Sequence, residues 1–116
     1  MSDEVVTLKV PSKATLKKYG LNMEDWNELA TKQGHVCYVC KKLTSTGRLC
    51  IDHEHVKGWK KLPPEQRKIY VRGLLCWFCN SKYLSRGITV DKLRNGLRYL
   101  EEYHARRDSV LNKKPT

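Results

Sequence analysis

The sequence has no long apolar segment and few acidic residues. No run approaches the roughly 20 apolar residues that a membrane-spanning helix needs, so we expect no membrane partner. No basic stretch followed by an apolar one opens the chain, so a secretory signal is not indicated. We therefore expect a cytoplasmic protein whose cysteines are reduced rather than joined in disulfides.

The charge balance is strongly basic. The 116 residues include 23 Lys and Arg against 12 Asp and Glu, which gives a formal net charge of +11. Such a balance favours polyanions, and without a membrane segment nucleic acid is the expected partner. The length fits one domain with a modest core. We interpret residues 1–116 as a single domain in which residues 1–12 and 109–116 are flexible.

Four of the five cysteines form two Cys-x-x-Cys pairs, Cys37/Cys40 and Cys76/Cys79. This spacing lets both sulfurs of a pair reach one ion, and two pairs supply the closed tetrahedral shell of a structural zinc site. A thioredoxin-like redox pair would not explain two such motifs. The fifth cysteine, Cys50, lies in an apolar run and is interpreted as a small core residue, not a ligand. We expect one zinc ion per chain, which contributes to folding.

Apolar periodicity predicts two main helices. Asn22 is a typical N-cap for a helix that Gly34 ends. Thr89 is predicted to cap a final helix in which leucines recur at spacings of three and four. This last helix needs a packing partner, within the chain or in a homodimer.

Strand patterns lie between these helices. Residues 48–51 form an apolar run that leads into Asp52 and His53, and residues 69–75 form a second one. A helix is predicted from Cys76 that stops near Gly87, and a helical turn fits residues 64–68. Residues 5–10 are either an edge strand or a mobile segment. The pattern predicts a small α+β fold.

Asp52, His53 and Asn80 are the candidate catalytic residues. Asp52 and His53 stand where the first predicted strand ends, and Asn80 directly follows the last cysteine. A carboxylate and an amide oxygen suit a hard cation such as Mg²⁺ or Mn²⁺, and an imidazole near neutral pH accepts a proton from water. Taken singly, Asp52 fits a turn and Asn80 a helix cap equally well. His55 is an accessory candidate that orients a phosphate, contacts the metal through water, or only fills the loop.

Four motifs follow one another over roughly residues 16–84. They are Tyr19-Gly20-Leu21, Cys37-Tyr38-Val39-Cys40, Asp52-His53-Glu54-His55 and Val71-Arg72-Gly73-Leu74-Leu75-Cys76-Trp77-Phe78-Cys79-Asn80. In this order they resemble the phage recombination endonuclease VII family, within the HNH (ββα-metal, His-Me finger) nucleases. The resemblance implies a ββα-metal core with a four-cysteine structural zinc site and flanking helices.

The resemblance also implies the chemistry. His53 is then the general base, while Asp52 and Asn80 hold one catalytic Mg²⁺ or Mn²⁺ ion. Hydrolysis of a DNA phosphodiester would leave 5′-phosphate and 3′-hydroxyl ends, with zinc outside the reaction. If the protein is phage-encoded, it acts in the host cytoplasm.

Phosphate contacts are expected from basic residues near this site. Arg72 and Lys82 are the first candidates, because both lie close to Asn80 in the sequence. Lys57, Lys60 and Lys61 surround Trp59, whose ring either packs in the loop or inserts into DNA; packing is the commoner role for a loop aromatic.

The expected function is that of a metal-dependent DNA endonuclease with little sequence specificity, because no base-reading element is evident. The C-terminal region is shorter than the helical extension of junction-resolving relatives. We therefore expect cleavage of ordinary duplex DNA ahead of the alternative, resolution of Holliday junctions or other branched DNA. A homodimer through the final helix would favour that alternative. A non-catalytic zinc-knuckle protein that binds nucleic acid is the further alternative.

Overall fold

The computed structural model describes residues 7–84 and 87–112. The chain divides into two compact units, Met1–Ser85 and Arg86–Thr116, and each is described by itself. The single domain expected over residues 1–116 stays a prediction. Residues 7–10 form no strand, although the Lys9 amide donates to the Gly47 carbonyl at 2.7 Å. The rest of the possible edge strand, Val5 and Val6, and the tail at residues 113–116 lie outside the described residues.

Two helices open the first unit. Helix α1 spans Lys13–Lys18, and the Ser12 side chain accepts a hydrogen bond from the Thr15 amide. Sequence patterning did not predict α1, which is only six residues long. Helix α2 spans Met23–Lys32 and begins at Asn22 with a capping box to Asp25, as predicted.

Two antiparallel strands form the sheet. Strand β1 is Cys50–His53 and strand β2 is Val71–Leu75. Both begin two residues later than predicted. Before β2, Lys68–Tyr70 form a 3₁₀ turn that follows the short helix α3, Pro64–Arg67. The paired residues are Cys50 with Leu75, Ile51 with Leu74, Asp52 with Gly73, and His53 with Val71.

The two faces of this sheet meet different parts of the unit. On one face Ile51 and Leu74 pack with the helices in a core that also contains Leu16, Leu21, Trp26 and Ala30. On the other face Leu75 packs with Cys37, Cys76 and Cys79. Alternate residues of a strand face opposite sides, so the hairpin joins the helical core to the cysteine cluster. The small α+β fold is confirmed.

Gln33 ties the end of α2 to β2. Its side chain is buried, donates to the Leu74 carbonyl at 2.8 Å and accepts from the Leu74 amide at 2.8 Å. A third bond runs from Gln33 to the Val36 carbonyl at 3.0 Å. A Cβ atom at Gly73 would lie 2.9 Å from the Gln33 carboxamide oxygen, so glycine leaves the room that this contact needs. These bonds set the strand against the segment that leads to Cys37.

The last elements are helical. Cys79–Tyr83 forms one turn of π-helix and carries Asn80, so the predicted helix is shorter and wider than expected. In the second unit, α4 spans Val90–Leu111, begins at the predicted cap Thr89, and contains no buried residue. Within the described ranges, no helix combines the length and apolar character needed to cross a membrane.

Candidate active site and metal centre

The four paired cysteines converge on one point. The sulfur atoms of Cys37, Cys40, Cys76 and Cys79 all lie within 4.8 Å of one another. The Cys40 and Cys76 sulfurs are 3.8 Å apart, which matches the edge of about 3.8 Å in a tetrahedron with 2.3 Å zinc–sulfur bonds. Across the described parts of the chain, this is the only cluster of His, Cys, Asp or Glu placed to hold a metal, and it excludes Cys50. The four cysteines are positioned to bind a metal such as zinc.

The cysteines of the cluster differ in how easily their thiols ionise. Burial opposes ionisation of Cys37, but backbone amides of Cys40, Cys76 and Val39 outweigh it and lower the pKa of its thiol to about 7. Burial and the neighbouring thiols of Cys76 and Cys37 raise the pKa of Cys79 to about 12. Four thiolates this close repel one another, and a bound dication removes that repulsion.

Asp52 lies at the sheet with its side chain only 6% exposed, and Arg72 binds both of its oxygens. The Arg72 Nε donates to Oδ2 at 2.8 Å and its Nη2 donates to Oδ1 at 3.1 Å. A register shift between Asp52 and His53 leaves Arg72 as the extra residue of β2, a bulge that directs its side chain to Asp52. The hydrogen bond to Asp52 also raises the pKa of Arg72. Arg72, expected to contact DNA phosphate, here forms an ion pair with the candidate catalytic carboxylate.

His53 lies in a cluster of aromatic rings. Its ring stacks on Trp59, with centroids 4.2 Å apart and planes 23° from parallel. The Tyr19 ring is 5.5 Å away and the His55 ring 4.8 Å away. Burial, followed by the nearby His55, lowers the pKa of His53, so its imidazole is neutral near pH 7.

Arg67 packs against the Trp59 ring. The Trp59 side chain is buried, which supports packing rather than insertion into DNA. The Arg67 guanidinium lies 5.1 Å from the Trp59 ring centroid. It also donates to the carbonyls of Leu62, Lys18 and Lys60, and so ties the loop to α1 and α3.

Sequence reasoning gave Tyr19 and Arg67 no role at the site. Nothing in the spacing of residues 19, 53 and 67 signals that they meet, because the loop between β1 and α3 brings them together. Tyr19 stood in a recognised motif, and Gly20 explains part of that motif. With φ of 75°, Gly20 lies where an added Cβ atom would collide with the Pro64 carbonyl.

Asn80 lies close to β1. Its backbone amide donates to the Cys76 carbonyl at 3.0 Å, and its side chain lines a groove together with Cys50. Cys50 and Asp52 face the same side of β1, so Asn80 reaches the strand two residues before Asp52. Asn80, Cys50, Ile51 and Tyr19 line a groove of about 440 Å³ whose walls do not include Asp52 or His53. Cys50 is partly exposed, whereas the sequence predicted a small buried core residue.

The remaining site residues lie at the surface. His55 is exposed beside His53. The lysines predicted to contact DNA are all exposed, and they are Lys57, Lys60, Lys61 and Lys82. The structure thus brings Asp52, His53 and His55 together with Arg72, and sets Asn80 against the same strand.

Comparison with known proteins gives one family. The recombination endonuclease VII family model matches residues 12–102. The chain is 36% identical over 70 residues to the Gene 59 protein of Mycobacterium phage D29, a match that covers 60% of this chain and 35% of that protein. It is 33% identical over 66 residues to the Gene 59 protein of Mycobacterium phage L5, which covers 56% of this chain and 34% of that protein.

The curated relatives are much longer than this chain. The chain spans about a third of the length of the curated relatives that it matches. No solved structure matches it. Because the family model spans most of the 116 residues, the chain belongs to the recombination endonuclease VII family.

Proposed function

We propose that this protein is a DNA endonuclease that hydrolyses phosphodiester bonds at a ββα-metal (HNH) site. The observation that carries the proposal is the juxtaposition of a buried carboxylate, Asp52, with a stacked and partly buried imidazole, His53, at the end of β1. In a family of endonucleases, this pair has the groups that metal-assisted hydrolysis needs.

His53 acts as the general base. Stacking against Trp59 restricts the orientation of its ring, and its lowered pKa keeps it neutral near pH 7. It takes one proton from a water molecule whose oxygen attacks the phosphorus. The new bond is phosphorus to oxygen and the bond to the 3′ oxygen breaks. The departing 3′ oxygen takes a proton from solvent water, so the products carry a 5′-phosphate and a 3′-hydroxyl.

Asp52 and Asn80 would hold the catalytic cation, Mg²⁺ or Mn²⁺. When bound, this ion stabilises the negative charge that develops on the leaving 3′ oxygen. The donor set fits a hard cation, because a carboxylate and an amide supply oxygen ligands. Arg72 already binds the Asp52 carboxylate, so the cation would compete with this guanidinium for the same oxygens. Zinc takes no part, because four thiolates close its coordination shell.

DNA binds mainly through its phosphates. The chain carries a formal charge of +11, and Lys57, Lys60, Lys61 and Lys82 are exposed. The sequence shows no base-reading element, so little sequence specificity is expected. Association of two chains through α4 would set two sites against one substrate. We place the reaction in the cytoplasm, that of the host if a phage encodes the protein.

Branched DNA is the second candidate substrate. The matching family is a recombination endonuclease family, which favours a structure-selective activity such as Holliday-junction resolution. The remaining alternative, a non-catalytic zinc-knuckle protein, leaves the Asp52 and His53 pair without a use.

Cleavage of supercoiled plasmid tests the proposal. With Mg²⁺ or Mn²⁺ present, the wild-type protein should nick or linearise the plasmid. Asp52→Ala, His53→Ala and Asn80→Ala should each lower the rate by roughly 10² or more at unchanged DNA affinity. Glu54→Ala, at an exposed position between the histidines, is the matched control and should cut normally. A wild-type protein that binds but never cuts, across both metals, would establish the non-catalytic alternative.

A further inference from the structure

Three aromatic side chains project from the cysteine pairs into solvent. Tyr38 lies between Cys37 and Cys40, and Trp77 and Phe78 lie between Cys76 and Cys79. Their exposures are 55% for Tyr38, 60% for Trp77 and 62% for Phe78. The other two tryptophans, Trp26 and Trp59, are 4% and 7% exposed. Trp77 is therefore the one tryptophan that the fold does not use for packing.

The cysteine cluster brings together the two short segments that carry these rings. The sulfurs that flank Tyr38 and those that flank Trp77 and Phe78 all lie within 4.8 Å of one another. The Tyr38 amide also donates to the Leu74 carbonyl at 3.2 Å, which fixes the first pair against β2. The backbone that carries the rings is therefore held in place before a ligand binds. Little conformational entropy is lost on binding.

Lysines flank the rings. The Lys41 ammonium lies 4.3 Å from the Tyr38 ring centroid, and that of Lys82 lies 5.7 Å from the Trp77 ring centroid. Residues 29–51 and 66–90 contain no Asp or Glu. With Lys42, the lysines here more than offset the charge of about −2 on a zinc ion with four thiolates. A partner for this surface must offer flat apolar faces together with negative charge.

We infer that this surface, which we call the knuckle surface (Tyr38, Lys41, Trp77, Phe78 and Lys82), binds unpaired DNA bases by stacking, while its lysines contact the adjacent phosphates. Exposed rings beside cations are the combination that single-stranded nucleic acid binds, because every base has a face to stack. The inference rests on the proposed function and deepens it: the preferred substrate would contain unpaired nucleotides, as a single-stranded overhang or flap does.

Tryptophan fluorescence tests the inference directly. Full-length zinc-loaded protein, without added Mg²⁺ or Mn²⁺, is titrated with an oligothymidylate of about 12 nucleotides at low salt. Stacking on Trp77 should quench emission to saturation, over a constant background from Trp26 and Trp59. A duplex of equal length should compete poorly.

Variants locate the binding site. Phe78→Leu keeps the Trp77 signal and should weaken oligothymidylate binding by about 5- to 150-fold, the range expected for loss of one stacked base. Trp77→Leu should abolish the quenching. Tyr99→Leu removes an aromatic of 75% exposure on α4 and should bind as wild type. Zinc content and circular dichroism of each variant check that it is folded.

Three results would overturn the inference. Equal competition by duplex would assign binding to backbone charge alone. Unchanged affinity in Phe78→Leu together with undiminished quenching in Trp77→Leu would place the bases elsewhere. An emission change that depends on protein concentration and needs no DNA would assign the knuckle surface to a second copy of the chain. If wild-type protein cuts plasmid but shows no quenching, only this inference fails; if it is quenched but never cuts, only the proposed function fails.

Discussion

Arg72 donates hydrogen bonds to both carboxylate oxygens of Asp52, at 2.8 and 3.1 Å. A β-bulge at Arg72 directs its guanidinium to this largely buried carboxylate. The two oxygens proposed to hold the catalytic cation are thus already neutralised by a positive group of the protein. The cation and the Arg72 guanidinium therefore compete, because both bind the Asp52 carboxylate. A displaced guanidinium beside the site is well placed to contact a DNA phosphate.

Replacement of Arg72 should lower the free energy of unfolding and increase the stabilisation that Mn²⁺ gives. Arg72→Ala leaves the Asp52 carboxylate buried without its partner, so the free energy of unfolding should fall by about 1–2 kcal/mol without divalent cations. We take the low end because Arg72 is half exposed. Mn²⁺ should then raise the denaturation midpoint more in the variant than in the wild type. Arg94→Ala, which breaks an exposed pair at 3.7 Å, is the control and should change neither quantity. Equal Mn²⁺ responses in all three proteins would show that Asp52 does not hold the ion.

Zinc should be an integral part of the folded protein. Purified protein should contain one zinc ion per chain, and Cys40→Ser should lose the metal and the cooperative unfolding transition, because metal binding contributes free energy to folding. Cys50→Ser is the matched control, since Cys50 lies outside the cluster and should leave the zinc content unchanged. Elemental analysis and thermal denaturation measure both outcomes. Fully folded, reduced protein without zinc would contradict the assignment.

The local signals in the sequence predicted much of this fold. Cap residues Asn22 and Thr89 and the Cys-x-x-Cys spacing each depend on short-range geometry, and the structure confirms all of them. The π-helical turn at Cys79–Tyr83 was not predicted, because no pattern in its five residues distinguishes it from an α-helical turn.

Contacts between distant residues explain what sequence reasoning missed. The pairing of Arg72 with Asp52 depends on a bulge, which no residue pattern in β2 signals. The stacking of Trp59 on His53 depends on a loop that Arg67 ties to three carbonyls. Such long-range hydrogen bonds have no sequence period, so they emerge only in the folded chain.

As the pH is lowered, cleavage should be lost at a lower pH than an unperturbed histidine base would give. Burial and His55 lower the pKa of His53, so the base stays neutral to a lower pH than an unperturbed histidine does, and the rate is lost on further acidification. His55→Ala removes one of these causes, so the pKa should rise and the acid limb should move to higher pH. A pH–rate profile of wild type, His55→Ala and the control His104→Ala measures this shift. An acid limb unmoved in His55→Ala would show that another group limits the rate.

Trp59 should affect catalysis through His53 and not through DNA affinity. Trp59→Ala removes the ring that stacks on His53 and should destabilise the protein by about 3 kcal/mol, while Trp59→Phe retains a stacked ring and most of the stability. Cleavage per folded molecule should fall in the alanine variant, with DNA affinity nearly unchanged in both. Unfolding curves, gel-shift assays and plasmid cleavage separate these effects. A large loss of affinity in folded Trp59→Phe would instead identify Trp59 as a DNA-inserting residue.

The substrate preference follows from how the positive charge is distributed. Exposed lysines lie in the loop after β1 and in the turn after Cys79, so phosphate contacts should dominate and affinity should fall steeply with salt, with little dependence on sequence. We expect linear duplex to be cut, and a four-way junction to be preferred only if two chains associate through α4. Equal concentrations of both substrates at matched salt, analysed on a denaturing gel beside sedimentation of the protein, measure the preference and the association together. Paired symmetric cuts in the junction by a dimer would make junction resolution the primary activity, because a single site cannot cut two opposing strands in concert.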